Sequence, residues 1–309
     1  MHYFKGLALL LMGLGLSACN DTPDMGNFRP GITNSCRIQA PFVSKSGLSQ
    51  PIAIDSRQQG HEGLRLINPR TRKTWQHPSW DDIGFVGAFD RDHQGNIYLS
   101  ALANVHVSPE TLALSNTLYR IDAQSGEMKP FMELPSVNPP SPSNPFGIIG
   151  LYFDCDSNSL YVSSVAGSSA KEVSGRIFQV DVANKKIVSQ LEKTDAFGIA
   201  TFNGIKNKRL YLSSARTSDI YSVALDAKGR FTQDIKYEFS LAKLPGGDSS
   251  NIRKFDFRKT REGNYTMRAK EEAFRFSLMA ARNPMKRIYR FNYVPESDSW
   301  KFQNIETGQ

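Results

Sequence analysis

Apolar and polar residues alternate with a period of two over many short stretches of this chain, and the stretches recur in a fixed order. Gly84-Phe85-Val86-Gly87-Ala88-Phe89-Asp90 leads through a polar turn at 91–95 into Asn96-Ile97-Tyr98-Leu99-Ser100. Phe146-Gly147-Ile148 continues into Gly150-Leu151-Tyr152-Phe153-Asp154, turns, and resumes at Ser159-Leu160-Tyr161-Val162-Ser163-Ser164. Phe197-Gly198-Ile199-Ala200-Thr201-Phe202 passes Asn203-Gly204 into Arg209-Leu210-Tyr211-Leu212-Ser213-Ser214, and a looser copy joins residues 252–257 to 263–267. Each pair is followed by a second one: 117–122 with 128–134, 175–181 with 186–191, 219–223 ending at Lys228-Gly229, and 287–291 with 300–302. Residues 63–67 and 73–77 have the look of such an outer pair near the start. Strands of this kind, rich in β-branched and aromatic residues and separated by Asp, Asn, Ser and Gly, predict four short antiparallel strands per unit. The first strand of each unit is the most apolar, as expected of one buried on both faces.

The units return about every 50 residues, a period of solenoids and propellers, and four antiparallel strands per unit select the propeller. The fold class is therefore all-β, a β-propeller with five visible repeats and a length compatible with five or six blades. Residues 37–43 are expected as an outer strand closing the ring against the last blade, which would remove exposed edges. Three segments read as insertions: 102–116, the proline-rich 136–145, and 271–281, whose Ala, Glu, Phe, Leu and Met predict a short helix.

The units resemble those of NHL-repeat and SMP-30/gluconolactonase-type propellers, most closely in Gly87-Ala88-Phe89-Asp90 through Gly95-Asn96-Ile97-Tyr98-Leu99. That resemblance implies a ligand site at the mouth of the central channel. An SMP-30-like protein would hold one divalent cation, Ca²⁺ or Mg²⁺, and Asp82, Asn144, Asp195 and Asn251 stand just ahead of inner strands, where such oxygen ligands would be needed. The chain departs from the pattern. Phe146-Gly147 and Phe197-Gly198 replace the Asn-Gly of the family, and the Gly-Glu-Gly-Pro string is missing, His61-Glu62-Gly63 being the nearest. The alternative for these residues is polar lining of a wet channel. Asp90-x-Asp92 and Asp154-x-Asp156-x-Asn158 look like calcium loops but sit between paired strands and read as turns.

Residues 16–19, Leu16-Ser17-Ala18-Cys19, close a short apolar run that starts the chain. The run is too short to span a bilayer, which takes about 20 apolar residues, and suits a secretory signal. Its ending resembles the lipobox of bacterial lipoproteins. This implies cleavage after residue 18, acylation of Cys19 with palmitate-type chains, and a polar tether over 19–35 leading to a propeller over 36–309. Asn20 after the cysteine implies sorting to the outer membrane, on its periplasmic or outer side, if the host is Gram-negative. With Cys19 lipidated, Cys36 and Cys155 remain. In an oxidising compartment they suggest one disulfide, with two buried thiols as the alternative.

The formal charge is +8, and residues 251–309 hold 13 Lys/Arg against 7 Asp/Glu. Arg253, Lys254, Arg258, Lys259 and Arg261 are the densest group, a candidate surface for an anionic partner: an envelope protein, an anionic glycolipid or a lipid head group rather than nucleic acid. No Gly-x-Ser-x-Gly, Walker loop or His-Glu-x-x-His occurs, and the five histidines have no ligand spacing. Two functions are thus expected: a lipid-anchored binding or scaffold module of the bacterial envelope that takes up a protein, glycolipid or small molecule, or an SMP-30-like metal-dependent hydrolase of lactones or small esters.

Overall fold

A computed structural model describes residues 28–56, 61–102, 109–247, 250–277 and 287–307. The expected signal segment 1–18 and Cys19, the expected lipidation site, lie outside the described residues. A two-residue strand, β1 (Gly31–Ile32), precedes five blades. The first has three strands: β2 (Ala53–Asp55), β3 (Arg65–Ile67) and β4 (Thr74–Trp75). The second comprises β5 (Val86–Arg91), β6 (Ile97–Ala101), β7 (Thr117–Ile121) and β8 (Met128–Glu133). The third holds β9 (Ile148–Asp154), β10 (Ser159–Ser164), β11 (Arg176–Asp181) and β12 (Lys186–Leu191). The fourth holds β13 (Ala196–Asn203), β14 (Lys208–Ser214), β15 (Asp219–Leu225) and β16 (Phe231–Ser240), and the fifth β17 (Asn251–Lys259), β18 (Tyr265–Glu272), β19 (Arg287–Val294) and β20 (Ser299–Thr307).

Each four-stranded blade is a plain antiparallel meander ordered from the channel outward, so the all-β propeller expected from the repeats is what the chain forms, with five blades among the described residues. The inner strands β9 and β13 are buried along their whole length, which accounts for their mostly apolar sequence. Blades pack face to face. Leu66, Trp80, Leu99 and Ile121 join blades one and two; Tyr98, Leu118, Phe153 and Val180 join two and three; Tyr161, Phe202, Leu210, Phe257 and Phe291 run on through three, four and five. Burial of one such side chain is worth about 1.5–3 kcal/mol.

Three expectations change. Residues 37–43 form no strand: Pro41–Ser46 is a 3-10 turn whose Phe42 and Val43 are buried against blade two. Blade five already has its own outer strand β20, and Pro41 lacks the N–H a ladder needs. The segment before the blades is held instead at the channel, where β1 pairs with the inner strand β13, Gly31 opposite Asn203 and Ile32 opposite Phe202. Residues 28–35, within the expected tether, are therefore part of the propeller. The helix expected at 271–281 starts as strand: Glu271 and Glu272 pair with Ile252 and Asn251, the ladder overriding local helix propensity, while 278–281 lie outside the described residues. Of the other insertions, 102–116 contains a short helix, Pro109–Leu114, and 136–145 is irregular apart from a bridge between Ser141 and Asn144. Cys36 and Cys155 form a disulfide, S–S 2.03 Å, that ties the segment after β1 to the end of β9.

Candidate functional site in the central channel

Every four-stranded blade slips its inner pairing by one residue near the upper mouth, where the inner strands begin. The extra residue falls between Val86 and Phe89, at Ile149, between Ala196 and Ile199, and at Arg253. Such bulges bend a strand and re-aim its side chains and carbonyls. Glycine is required where two inner strands come closest: a Cβ on Gly198 would lie 2.3 Å from the carbonyl oxygen of Ile252, and one on Gly150 would lie 2.8 Å from that of Phe197. The four bulges converge on one side chain. Arg253 crosses the channel, donates to the carbonyl of Ile149 and, at 2.9 Å, to that of Gly87, and places its guanidinium 5.0 Å from the ring centre of Phe197. Burial pulls this guanidinium below its ordinary pKa, with Glu272 opposing the shift. Arg253 is thus a channel residue and not part of the basic surface expected from its neighbours in sequence. The bulge aims it inward, whereas Lys254, Arg258, Lys259 and Arg261 are exposed. Arg253→Met should leave two buried carbonyls without a donor and destabilise the fold by about 1–3 kcal/mol, measured by urea denaturation.

Below Arg253 lies a cavity of ≈ 260 Å³, lined by Asn34, Arg37, Asp90, Tyr152, Lys254 and Asp256 among others. This is under the roughly 300–1,000 Å³ of sites for drug-sized ligands. Asp90 bonds Arg37 at 2.6 Å and accepts from the N–H of Phe153 at 2.7 Å and of Arg91 at 2.9 Å. Burial raises the Asp90 pKa, while Arg37 and the two N–H groups lower it; burial wins. The Arg37 guanidinium also lies 4.5 Å from the ring centre of Tyr152, whose hydroxyl burial pushes up to about 12. Because the folded pKa of Asp90 exceeds its unfolded value of about 3.9, the folded state binds the proton more readily. The ionised carboxylate therefore lowers stability at neutral pH, and the penalty fades as pH falls through the folded pKa. Arg37→Met should enlarge that penalty. Its melting deficit against wild type is expected to be greatest near neutral pH and to shrink on acidification; a deficit constant with pH would contradict this.

Residues 28–37 fill the lower mouth. Thr33 Oγ1 lies 2.6 Å from Thr201 Oγ1 and 2.9 Å from Tyr152 Oη, and the amide of Asn203 donates to the Arg29 carbonyl. Beneath them Lys208, fully buried, bonds Asp154 at 2.6 Å and Asp156 at 2.7 Å, with its ammonium 4.5 Å from the ring centre of Phe28. The string resembling a calcium loop therefore carries its own cation, supplied by the next blade. The other such string is a turn: Asp92 accepts from the N–H groups of Gln94 and Asn96.

Three of the residues expected as metal ligands are engaged with protein groups. Asn144 donates to the carbonyls of Val165 and Ser168 and accepts from the N–H of Phe146. Asn251 donates to the carbonyls of Ser214 and Thr217 and accepts from the N–H of Phe274. Asp195 takes Arg216 on one oxygen at 2.5 Å, and Ser168 Oγ and the Gly175 N–H on the other. Asp82 is exposed at the end of the 3-10 turn Pro78–Ile83. Three of the four are thus loop anchors with their oxygens already engaged, and among the described residues no group of three His, Cys, Asp or Glu is placed to hold a metal. The upper mouth above Arg253 is covered by aromatic rings: Phe274 packs on Phe146 at 5.2 Å and on Phe197 at 5.0 Å, and Phe276 follows under Arg216. The signal that could have singled out Arg253 is a cation where the other inner strands have Gly87, Ile149 and Phe197, although its inward aim comes from the bulge. For Lys208 the sequence holds no such signal.

No protein-family model and no curated protein matches the chain. Solved structures similar to it include a functionally unknown protein from Desulfotomaculum acetoxidans DSM 771, with 14% identity over 83% of this chain and 79% of that one and a TM-score of 0.42. Others are an endo-arabinase from Bacteroides thetaiotaomicron VPI-5482 (11% identity, 69% and 76% covered, TM-score 0.40) and a glucose dehydrogenase (12%, 75% and 78%, 0.39). At such identities nothing about activity carries over, and the functional argument rests on this chain's own residues.

Proposed function

We propose that this chain is a lipid-anchored, NHL-like propeller of the bacterial envelope that acts as a binding module, held to a membrane by acylated Cys19 and presenting its upper face to an envelope partner. The observation that carries this reading is the state of the channel. Its buried charges are bonded to protein atoms, and its upper mouth is roofed by Phe146, Phe274 and Phe276. Around that roof stand the loop 136–145, with Val137 55% exposed, and Val173 at 38%. Apolar side chains left outside on a rigid scaffold suit recognition of another surface. Among the described residues no helix is long and apolar enough to cross a membrane. The hydrolase alternative draws no support from Asn144, Asp195 or Asn251, whose side chains hold loops.

Two arms test the reading. Cys19→Ser should move the protein out of the membrane fraction of cells; unchanged fractionation would sink the anchor. A photo-crosslinking residue at Val137, Val173 or Phe276 should trap one discrete envelope component. Absence of an adduct at all three would overturn the assigned face.

A further inference from the structure

We infer that the lower face of the propeller lies against the phosphate head groups of the membrane that anchors it, so that the lipid fixes an orientation as well as a location; this rests on the lipid anchor proposed above. The first observation is where the segment that follows Cys19 enters the fold. Phe28 to Ile32 are held at the lower mouth: Asn203 donates to the Arg29 carbonyl, and the Tyr265 hydroxyl donates at 2.9 Å to the Pro30 carbonyl. Eight residues separate Cys19 from Phe28, and fully extended the nine steps between the two reach about 30 Å. The acyl chains therefore keep the lower mouth within one short tether of the membrane surface.

The second observation is the charge of that face. Its turns join first to second and third to fourth strands. Around the tether, in blades three to five, they carry Lys185, Lys206, Lys228, Arg230, Lys259 and Arg261, all exposed. Lys259 stands 5.8 Å from the ring centre of Tyr265, the residue that bonds Pro30, so the basic turn and the tether meet at one side chain. Of the acids in these turns Asp156 pairs with Lys208, Asp181 and Asp226 keep their charge while accepting backbone N–H groups, and Glu262 and Glu296 are exposed, so the exposed cations outnumber them. The upper face is mixed among the described residues, with Asp81, Asp82, Glu133, Glu172 and Glu192 exposed there beside Lys171, Lys193, Lys243 and Arg275. A disc with one basic face tethered close to an anionic surface turns that face inward, because the surface potential acts only within a Debye length of about 8–10 Å. The upper face, with its aromatic roof, is then the one left for a partner.

The experiment uses the full lipidated protein in vesicles of phosphatidylcholine alone, or with about 30% phosphatidylglycerol, a fraction high enough to give the surface potential described. Amine acylation at each lysine is read by mass spectrometry. On anionic vesicles Lys206, Lys228 and Lys259 should react at least about three-fold more slowly relative to Lys193 than on neutral ones. The protection should vanish at about 0.5 M salt, where the Debye length is a few ångström. Lys206→Gln/Lys228→Gln/Lys259→Gln, all in exposed turns, should equalise the reactivity of Lys185 on the two vesicle types. Protein that floats with the vesicles yet shows the same labelling ratio on both overturns the orientation alone. Protein that floats with neither overturns the anchor and the orientation with it.

Discussion

Lys208→Met should lower the unfolding free energy by about 3–5 kcal/mol, the range for breaking one side of a buried ion pair. At about 2–4 °C per kcal/mol for large domains, the melting temperature should fall by roughly 6–20 °C. Methionine keeps most of the stem volume, so the effect isolates the charge. Lys208 and Asp154 both have side chains with 0% exposure, and Asp156 retains 31%. Without the ammonium, Asp154 would keep Thr201 Oγ1 and the N–H and hydroxyl of Ser157 but lose its counter-charge in a place water does not reach. Lys208→Met combined with Asp154→Asn should recover a good part of the loss, since a neutral pair leaves no buried charge unmatched. Lys129→Met, which removes an exposed partner of Glu127, should change stability by no more than about 1 kcal/mol. Thermal denaturation followed by circular dichroism decides the matter; a Lys208→Met protein as stable as the Lys129→Met control would refute the account.

Opening the Cys36–Cys155 bridge should have a comparable effect by another route. The two cysteines are 119 residues apart in sequence, and in the chain-entropy picture closing a loop of that size in the unfolded chain is worth about 4–5 kcal/mol. The bridge also holds the lower mouth, because the Cys155 N–H donates to the Thr33 carbonyl, and Thr33 and Arg37 on either side of Cys36 bond into the channel. The variant Cys36→Ala/Cys155→Ala, and wild type under a reductant that frees both thiols, should therefore melt together and well below the oxidised protein. In both, protease should cut the segment 28–37 before any blade. Coincident melting of oxidised and reduced wild type, with the thiols shown to be free, would count against a stabilising role for the bridge.

Much of the ring was legible in the residues. The inner strands expected at 84–90, 146–154, 197–202 and 252–257 became β5, β9, β13 and β17 within a few residues. The turns fell where Asp, Asn and Gly cluster, and the two remaining cysteines met. These features are local or nearly so: hairpin pairing follows from period-two alternation and turn chemistry over some twenty residues, and a residue buried on both faces of a sheet must be apolar wherever the blade stands. The pairing of Cys36 with Cys155 followed from parity alone.

Tertiary structure decided everything that passes between blades. Whether Arg253 faced solvent or channel turned on a one-residue slip against β18, and its acceptors, Gly87 and Ile149, lie in two other blades. Lys208 reads in sequence as one of several surface lysines beside a turn. Only the approach of β14 to the β9–β10 turn makes it a buried counter-ion. Asn144, Asp195 and Asn251 occupy the positions where ligands were expected, but the folded loops supply them with N–H groups, carbonyls and, for Asp195, a guanidinium. The sequence by itself determined the blades, because their hydrogen bonds join neighbours in the chain. The channel, its plug and its charges are set by contacts between residues roughly 50 to 235 positions apart, which no local pattern encodes.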